Sequence, residues 1–319
     1  MTKQKILILG ASFLYPYWKL QTETVWMDPF IGPPDIDAHP DAAFAYFGTV
    51  AKGPELLGPL LECRDRCKKM GIPTVWHTIE DPNSFTTFVD QAAGYDIIAT
   101  SDCELIPDYE NLYPDAQVIW LPNAAQPAVH RPLPLVDDPA DFVLLANFYQ
   151  GDARKSAETE MLAPLVDAGY SLSLHAFEGW RWPEKYDKYY RGPSNYATAA
   201  DFYPEGRVAL GMNNQAWNTG MCSMRTFEVL ACGKPMLSYH SDSYEKLGFV
   251  NAMPDLSVDG HFVWVDNAED ALIAGRNLLS KPGRAAEIAE RGRAFVLKEH
   301  TYANRLETVL NHTDQVVRA

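Results

Sequence analysis

Two series of short apolar runs, each alternating with helix-like stretches, flank a proline-dense segment. This pattern constrains the fold more than any other feature of the chain. In the first series Lys5-Ile-Leu-Ile-Leu-Gly10 is a continuous apolar run closed by glycine, as in a central parallel strand. Leu56, Leu57, Leu60, Leu61, Cys63 and Cys67 recur at helical spacing between Pro54 and Met70, and Gly71 supplies the stop. Strand-like runs follow at 73–79, 95–100 and 117–121. Five prolines, at 122, 127, 132, 134 and 139, then interrupt the alternation and read as a linker. The second series places strands at 142–147, 170–177, 207–213, 236–239 and 261–266. Helices fall at 152–167 and 222–233, and a helical region runs from Ala268 to the end. Such alternation predicts an α/β chain with parallel sheets, and 319 residues suit two domains of ~150 residues each. The expected division is 1–138 with the proline-rich linker, 139–300, and a terminal helix over 301–319 that can cross back to the first domain.

Composition narrows the function classes. A hydrophobic content of 47% with 12% aromatics is enough for real cores, which argues against disorder. The net charge of −15 argues against broad polyanion binding, though a local basic patch remains open. No run approaches a membrane span, and Met1 to Gly10 enters a strand without a signal-peptide pattern, so a cytoplasmic location is expected. Cys63 and Cys67 have helical spacing that would suit a metal, but no second Cys/His pair completes a zinc site; buried thiols are the plainer expectation.

The densest chemistry lies in Cys222-Ser-Met-Arg-Thr-Phe-Glu-Val-Leu-Ala-Cys-Gly233. Arg225 and Glu228 sit one turn apart in a small, apolar helix that stops at Gly233 and Pro235. An arginine near a helix start offers a forked, permanently charged partner for phosphate oxygens, which the helix N-terminus also attracts. A carboxylate one turn on can accept hydrogen bonds from two vicinal hydroxyls. The alternative is a surface i,i+3 pair, which the apolar flanks disfavour. Elsewhere, Trp180 to Arg191 interleaves aromatic and charged residues, a composition that suits stacking on bases or sugars as well as ordinary packing. His77-Thr-Ile-Glu80-Asp81 follows a strand and could supply a general base. Asp81 ranks first there, then His77 and Glu80, with helix capping near Ser84 as the competing role for Asp81. Gly10-Ala-Ser12 lacks the glycine spacing of a dinucleotide fingerprint.

Arg225-Thr-Phe-Glu228 followed by Leu-Ala-Cys-Gly233, together with His300-Thr-Tyr302 and Arg305, resembles the CgeB-like (spore-maturation-type) glycosyltransferases of the GT-B class. Supporting similarities are Thr100-Ser-Asp102, Val118–Pro122, Phe142–Asn147 and Leu174–Trp180. The resemblance implies GT-B architecture, two Rossmann-like α/β domains facing across a cleft, with the nucleotide-sugar donor on the second. It implies Glu228 on the ribose and Arg225 on the diphosphate, with Thr226, Phe227, Asn147, Arg154, Trp180 and Asn214 near the donor. Ser12, Tyr15 and Asp102 are the implied acceptor-side residues. Many retaining members carry a second glutamate eight residues before the first, where this chain has Gly220.

The expected function is transfer of a sugar from a nucleoside-diphosphate sugar, UDP-sugar favoured, to an acceptor hydroxyl, with a hexose expected and no metal or other cofactor. The acceptor could be a small molecule, glycan, protein or modified DNA. Alternatives are a glycosyltransferase acting on hydroxymethylated DNA bases, a non-catalytic nucleotide-sugar binding or coat protein, and a sugar epimerase of the same fold.

Overall fold

Runs such as Ile6-Leu-Ile-Leu9 and Phe44-Ala-Tyr-Phe47 have no polar face, so they are stable only in a sheet covered on both sides. The computed structural model describes residues 4–9, 15–20, 22–27, 34–48, 54–148, 152–194, 198–213 and 219–318. Its contacts divide the chain into two units, Met1–Asn123 with Tyr302–Ala319, and Ala124–Thr301.

The first unit holds β1 (Lys5–Leu9), β2 (Glu23–Met27), β3 (Phe44–Gly48), β4 (Thr74–Thr78), β5 (Ile97–Thr100) and β6 (Gln117–Trp120). All are parallel, in the order β2-β1-β3-β4-β5-β6. Strand order reverses at β1 and β3, the position where open parallel sheets bind ligands beyond their carboxyl ends. Residues 10–14 and 49–53, which follow those strands, lie outside the described residues. Cys63 and Cys67 are buried in this unit's core, and burial pushes their thiols up to about 11 and about 12. Among the described residues no group of three metal-ligating side chains accompanies them.

The last helix, Tyr302–Arg318, belongs to this unit. The Tyr302 ring stacks on Tyr17 with centroids 5.1 Å apart. Buried Arg305 donates from Nε to the Pro122 carbonyl at 2.7 Å and from Nη2 to that of Asn123 at 3.0 Å.

The second unit holds β7 (Ala140–Leu145), β8 (Leu172–Phe177), β9 (Tyr190–Ser194), β10 (Gly206–Gly211), β11 (Met236–Tyr239) and β12 (Val263–Val265). These too are parallel, in the order β12-β11-β10-β7-β8-β9. That is the doubly wound order of a dinucleotide-binding fold, and it reverses between β7 and β10. The two adjoin closely: a Cβ on Gly206 would lie 2.5 Å from the Val143 backbone nitrogen.

Three strands escape the sequence reading. β3 is a short apolar run that periodicity cannot separate from a buried helix. β2 and β9 are edge strands, and Tyr190-Arg-Gly-Pro-Ser194 carries the glycine and proline of a turn, which an edge tolerates. The sequence reading breaks the chain at 138, whereas the contacts assign 124–138 to the second unit. Prolines there prevent a regular element without preventing packing: Gln126 to His130 forms a turn, and the Val136 N–H reaches the Pro204 carbonyl at 3.3 Å.

Replacing Arg305 with alanine leaves two buried carbonyl oxygens unmet. Urea unfolding should show a loss of about 2–4 kcal/mol; a loss below about 0.5 kcal/mol would contradict the clamp.

Candidate functional site

The carboxyl ends of β7, β8 and β10 bring most of the second unit's polar candidates to one sheet edge. After β7, Asn147 accepts from the Phe177 N–H through Oδ1 at 2.8 Å, which ties the β7 and β8 ends together. Arg154 is buried in the first turn of the helix after β7. After β8, Gly179 takes a positive φ of 85° in the turn that carries exposed Trp180. Trp182 and Tyr186, by contrast, fold inward. The Trp182 indole donates to the Ala146 carbonyl at 2.8 Å, and the Tyr186 hydroxyl donates to Glu158. Lys185 pairs with Glu158 at 2.5 Å, so this aromatic stretch is in good part packing.

After β10 the chain reaches Met212 and Asn213, and then the helix Met224–Ala231. The helix ends at Gly233, whose φ of 67° permits paired closing bonds from Gly233 N to Leu230 O and Lys234 N to Val229 O. Every residue from Met224 to Ala231 is buried except Arg225, which is half-buried. Arg225 Nη1 donates to the Met212 carbonyl at 3.3 Å, placing the guanidinium at the carboxyl end of β10. Asn213 Oδ1 accepts from the Ser223 N–H at 3.1 Å at the same helix start.

Glu228 is buried and, among the described residues, receives one hydrogen bond, from Tyr203 OH to Oε2 at 3.2 Å. Its Oε1 accepts none among the described residues and lies 3.6 Å from His130 Nε2. Desolvation pushes the carboxyl up to about 7, against the opposing pull of Arg225 and the Tyr203 bond. Burial lowers His130 to about 4. Between those values both groups are neutral, so this contact is not an ion pair at rest. Asn213 Nδ2 and Thr219 Oγ1, both buried, also lack a partner among the described residues. A buried polar atom without a partner is costly in a protein interior unless a ligand or water meets it.

Two donor-side expectations need correction. Phe227 is fully buried against Phe249 and His300, with centroids 6.1 and 5.4 Å away, and serves the core. Thr226 is buried too, with its side chain bonded to Tyr244. Asn214 lies outside the described residues, and Gly220 is buried in the same connection without a carboxylate. Tyr203, His130, Asn213 and Thr219 are the residues that sequence reasoning did not single out. Asn213 was within reach, as the polar end of an apolar strand run.

In the first unit His77 is corrected as a candidate base. It lies within β4, where Nε2 donates to the Leu121 carbonyl at 3.1 Å and Nδ1 accepts from Tyr46 OH at 2.5 Å. Both nitrogens are engaged, and burial lowers the ring to about 4. Asp81 does not cap the helix, which begins at Phe85 after Ser84. It is buried, and Oδ2 accepts from Thr78, Thr100 and Tyr109 at 2.5, 2.7 and 3.1 Å. Desolvation still raises its carboxyl. Glu80 beside it is exposed. Asp102 is buried and caps the turn after β5 by accepting from the Glu104 N–H at 3.0 Å. Ser12 and the Tyr15 side chain lie outside the described residues.

Residues 154–311 match the family model described as glycosyl transferase-like. Comparison with curated proteins finds no match. An alpha-glucosyltransferase in complex with UDP and a 13-mer DNA containing a central A:G mismatch is similar at TM-score 0.66 and 12% identity, over 98% of this chain and 100% of that one. A T4 phage BGT mutant in complex with UDP-glucose is similar at TM-score 0.58 and 12% identity, over 99% of each chain. The N-terminal domain of a Candida albicans trehalose-6-phosphate phosphatase is similar at TM-score 0.56 and 10% identity, over 99% and 97%. The fold is therefore GT-B, with two Rossmann-like units. Among the described residues no helix is long and apolar enough to cross a membrane.

His77 yields a pH prediction. Its folded value of about 4 lies below the 6.5 of a free ring, so its stabilising contribution is complete above 6.5 and is lost as pH falls toward 4. The loss should reach on the order of 3 kcal/mol. His77→Gln can still donate to Leu121 and accept from Tyr46, and it should show a visibly shallower acid limb in denaturant unfolding between pH 7.5 and 4. An unchanged limb would contradict the assignment.

Proposed function

We propose that this chain, glycosyl transferase-like over residues 154–311, moves a hexosyl group from a UDP-sugar to an acceptor hydroxyl. The observation that carries this proposal is the pairing of a half-buried Arg225 at a helix start with a buried Glu228 whose Oε1 has no donor among the described residues. Arg225 and the helix N-terminus would take the diphosphate and stabilise it as it leaves. Glu228 would take the ribose hydroxyls, ionising as it gains their hydrogen bonds. Asn147, Arg154 and Trp180 stand at the same sheet edge and suit the remaining donor contacts. The CgeB-like subtype belongs to this proposal, as does independence from metals. For an inverting transfer we assign the acceptor's base to the Glu80-Asp81 turn, where Asp81 has the raised carboxyl and Glu80 the exposed one.

A second acceptor class is a modified base in DNA. It is supported by the DNA-bound glucosyltransferase of similar fold and opposed by the net charge of −15.

A thermal-shift and calorimetric screen of nucleoside-diphosphate sugars tests the donor assignment. Arg225→Ala and Glu228→Ala should each weaken UDP-sugar binding by roughly 10- to 100-fold, equivalent to about 1.4–2.8 kcal/mol, while the fold persists. Wild-type affinity in both variants would sink the site. Donor turnover should survive EDTA. Glu80→Gln and Asp81→Asn should separate the two carboxyls, the true base losing turnover without losing donor affinity.

A further inference from the structure

One residue of the proline-rich stretch reaches the donor helix. His130 ends the turn that begins at Gln126, and its own N–H donates to the Gln126 carbonyl at 2.7 Å. Its ring Nδ1 accepts from the Gln126 N–H at 3.0 Å. A nitrogen that accepts from a backbone N–H carries no proton, so in the neutral ring the proton is on Nε2. That nitrogen lies 3.6 Å from Glu228 Oε1, just beyond hydrogen-bond length, and both side chains are buried.

We infer that His130 is a positioning residue for Glu228: its Nε2–H becomes the carboxylate's second internal donor when the nucleotide's ribose engages that group. The inference rests on Glu228 being the ribose ligand. At rest the carboxyl is protonated over much of the range below neutrality, and a neutral acid needs no second donor. Ribose hydroxyls that donate to the carboxyl favour its charged form. A buried charge then has to be met from all sides, and His130 is already aimed at it. A shift of a few tenths of an ångström brings Nε2–H into range. Tyr203 meets the other oxygen from the turn before β10. Among the described residues the remaining ionisable groups near the carboxyl are on the helix or just beyond it. Arg225 favours the charge, and Cys232, pushed up to about 12, stays neutral. His130, lowered to about 4, also stays neutral and so acts as an N–H donor without becoming a cation.

The consequence is a pH profile for donor binding. Binding lowers the carboxyl's titration point below its free value of about 7, so affinity rises with pH, and protons are released, only between the bound and the free titration points; at pH 5.5 the carboxyl is largely protonated in both states and the His130 donor adds little. UDP-glucose is a suitable probe because its diester diphosphate does not titrate between pH 5.5 and 8.5. Two substitutions divide the imidazole's functions. His130→Asn keeps an acceptor for the Gln126 N–H and loses the reach to Glu228. His130→Gln restores a donor at the Nε2 position.

Calorimetric titration with UDP-glucose across that range should show wild-type affinity rising several-fold from pH 5.5 to 7.5 and then levelling, with proton release seen as a buffer-dependent heat. His130→Asn should bind like wild type at pH 5.5 and about tenfold more weakly at pH 8, and His130→Gln should recover most of that loss. Equal weakening of His130→Asn at every pH would show a merely structural histidine, and no weakening would show an idle one; either overturns the inference. Glu228→Gln separates the underlying assignment. If it binds UDP-glucose like wild type at all pH values, the ribose role of Glu228 fails and this inference fails with it. If it loses the pH dependence while His130→Asn keeps it, only the role of His130 is refuted.

Discussion

The second unit holds one carboxyl, that of Glu228, out of water. Glu228 is on a helix buried on nearly every side, and its chain neighbours Phe227, Val229 and Leu230 are fully enclosed. Desolvation alone would keep it neutral well above the usual range for glutamate, and its support among the described residues is a single tyrosine hydroxyl with a histidine just beyond hydrogen-bond length. Such a group is poorly satisfied among the described residues. The Schellman closure at Gly233 and the Arg225 bond to the Met212 carbonyl hold the helix so that this carboxyl and the guanidinium share one sheet edge.

The sheets explain how that edge gathers polar side chains. Both units reverse strand order beside their first strand, β1 against β3 and β7 against β10. At such a reversal the flanking connections diverge and leave a crevice beyond the strand ends. In the second unit Asn147 and Met212 mark the two ends that part there. In the first unit a buried carboxylate after β4, Asp81, is already gripped by three hydroxyls, and His77 is spent on Tyr46 and Leu121. The two edges therefore differ in kind. Among the described residues the second presents Glu228 Oε1, Asn213 Nδ2 and Thr219 Oγ1 without partners, whereas Asp81 and His77 in the first are bonded.

Much of the architecture was legible from apolar runs buried on both faces, as at Ile6–Leu9, Val75–Trp76 and Leu172–Leu174, although the equally buried β3 was not, because a short apolar run alone does not separate strand from helix. The edge strands β2 and β9 were not, since a strand with one neighbour tolerates glycine, proline and exposed residues such as Trp26. At the site, Arg225 and Glu228 stood out because charge in an apolar helix is anomalous within a single segment. His130 and Tyr203 did not. Their meaning comes from contact with Glu228 across 98 and 25 residues, which no local pattern encodes. Phe227 and Thr226 entered the donor set with the Arg225–Glu228 motif that carries the resemblance, although successive residues of a helix point about 100° apart. The proline-rich stretch was read as a spacer because prolines signal missing elements, and a segment can pack closely without forming one.

The central claim is that a nucleotide completes the hydrogen bonding of Glu228, and a crystal structure of the protein with UDP tests it most directly. The account predicts ribose hydroxyls within hydrogen-bond distance of Glu228 Oε1, diphosphate oxygens at Arg225 and the start of the helix Met224–Ala231, and His130 Nε2 drawn inside hydrogen-bond range of the carboxylate. Nucleotide bound elsewhere, with Glu228 still held by Tyr203 alone, would contradict it.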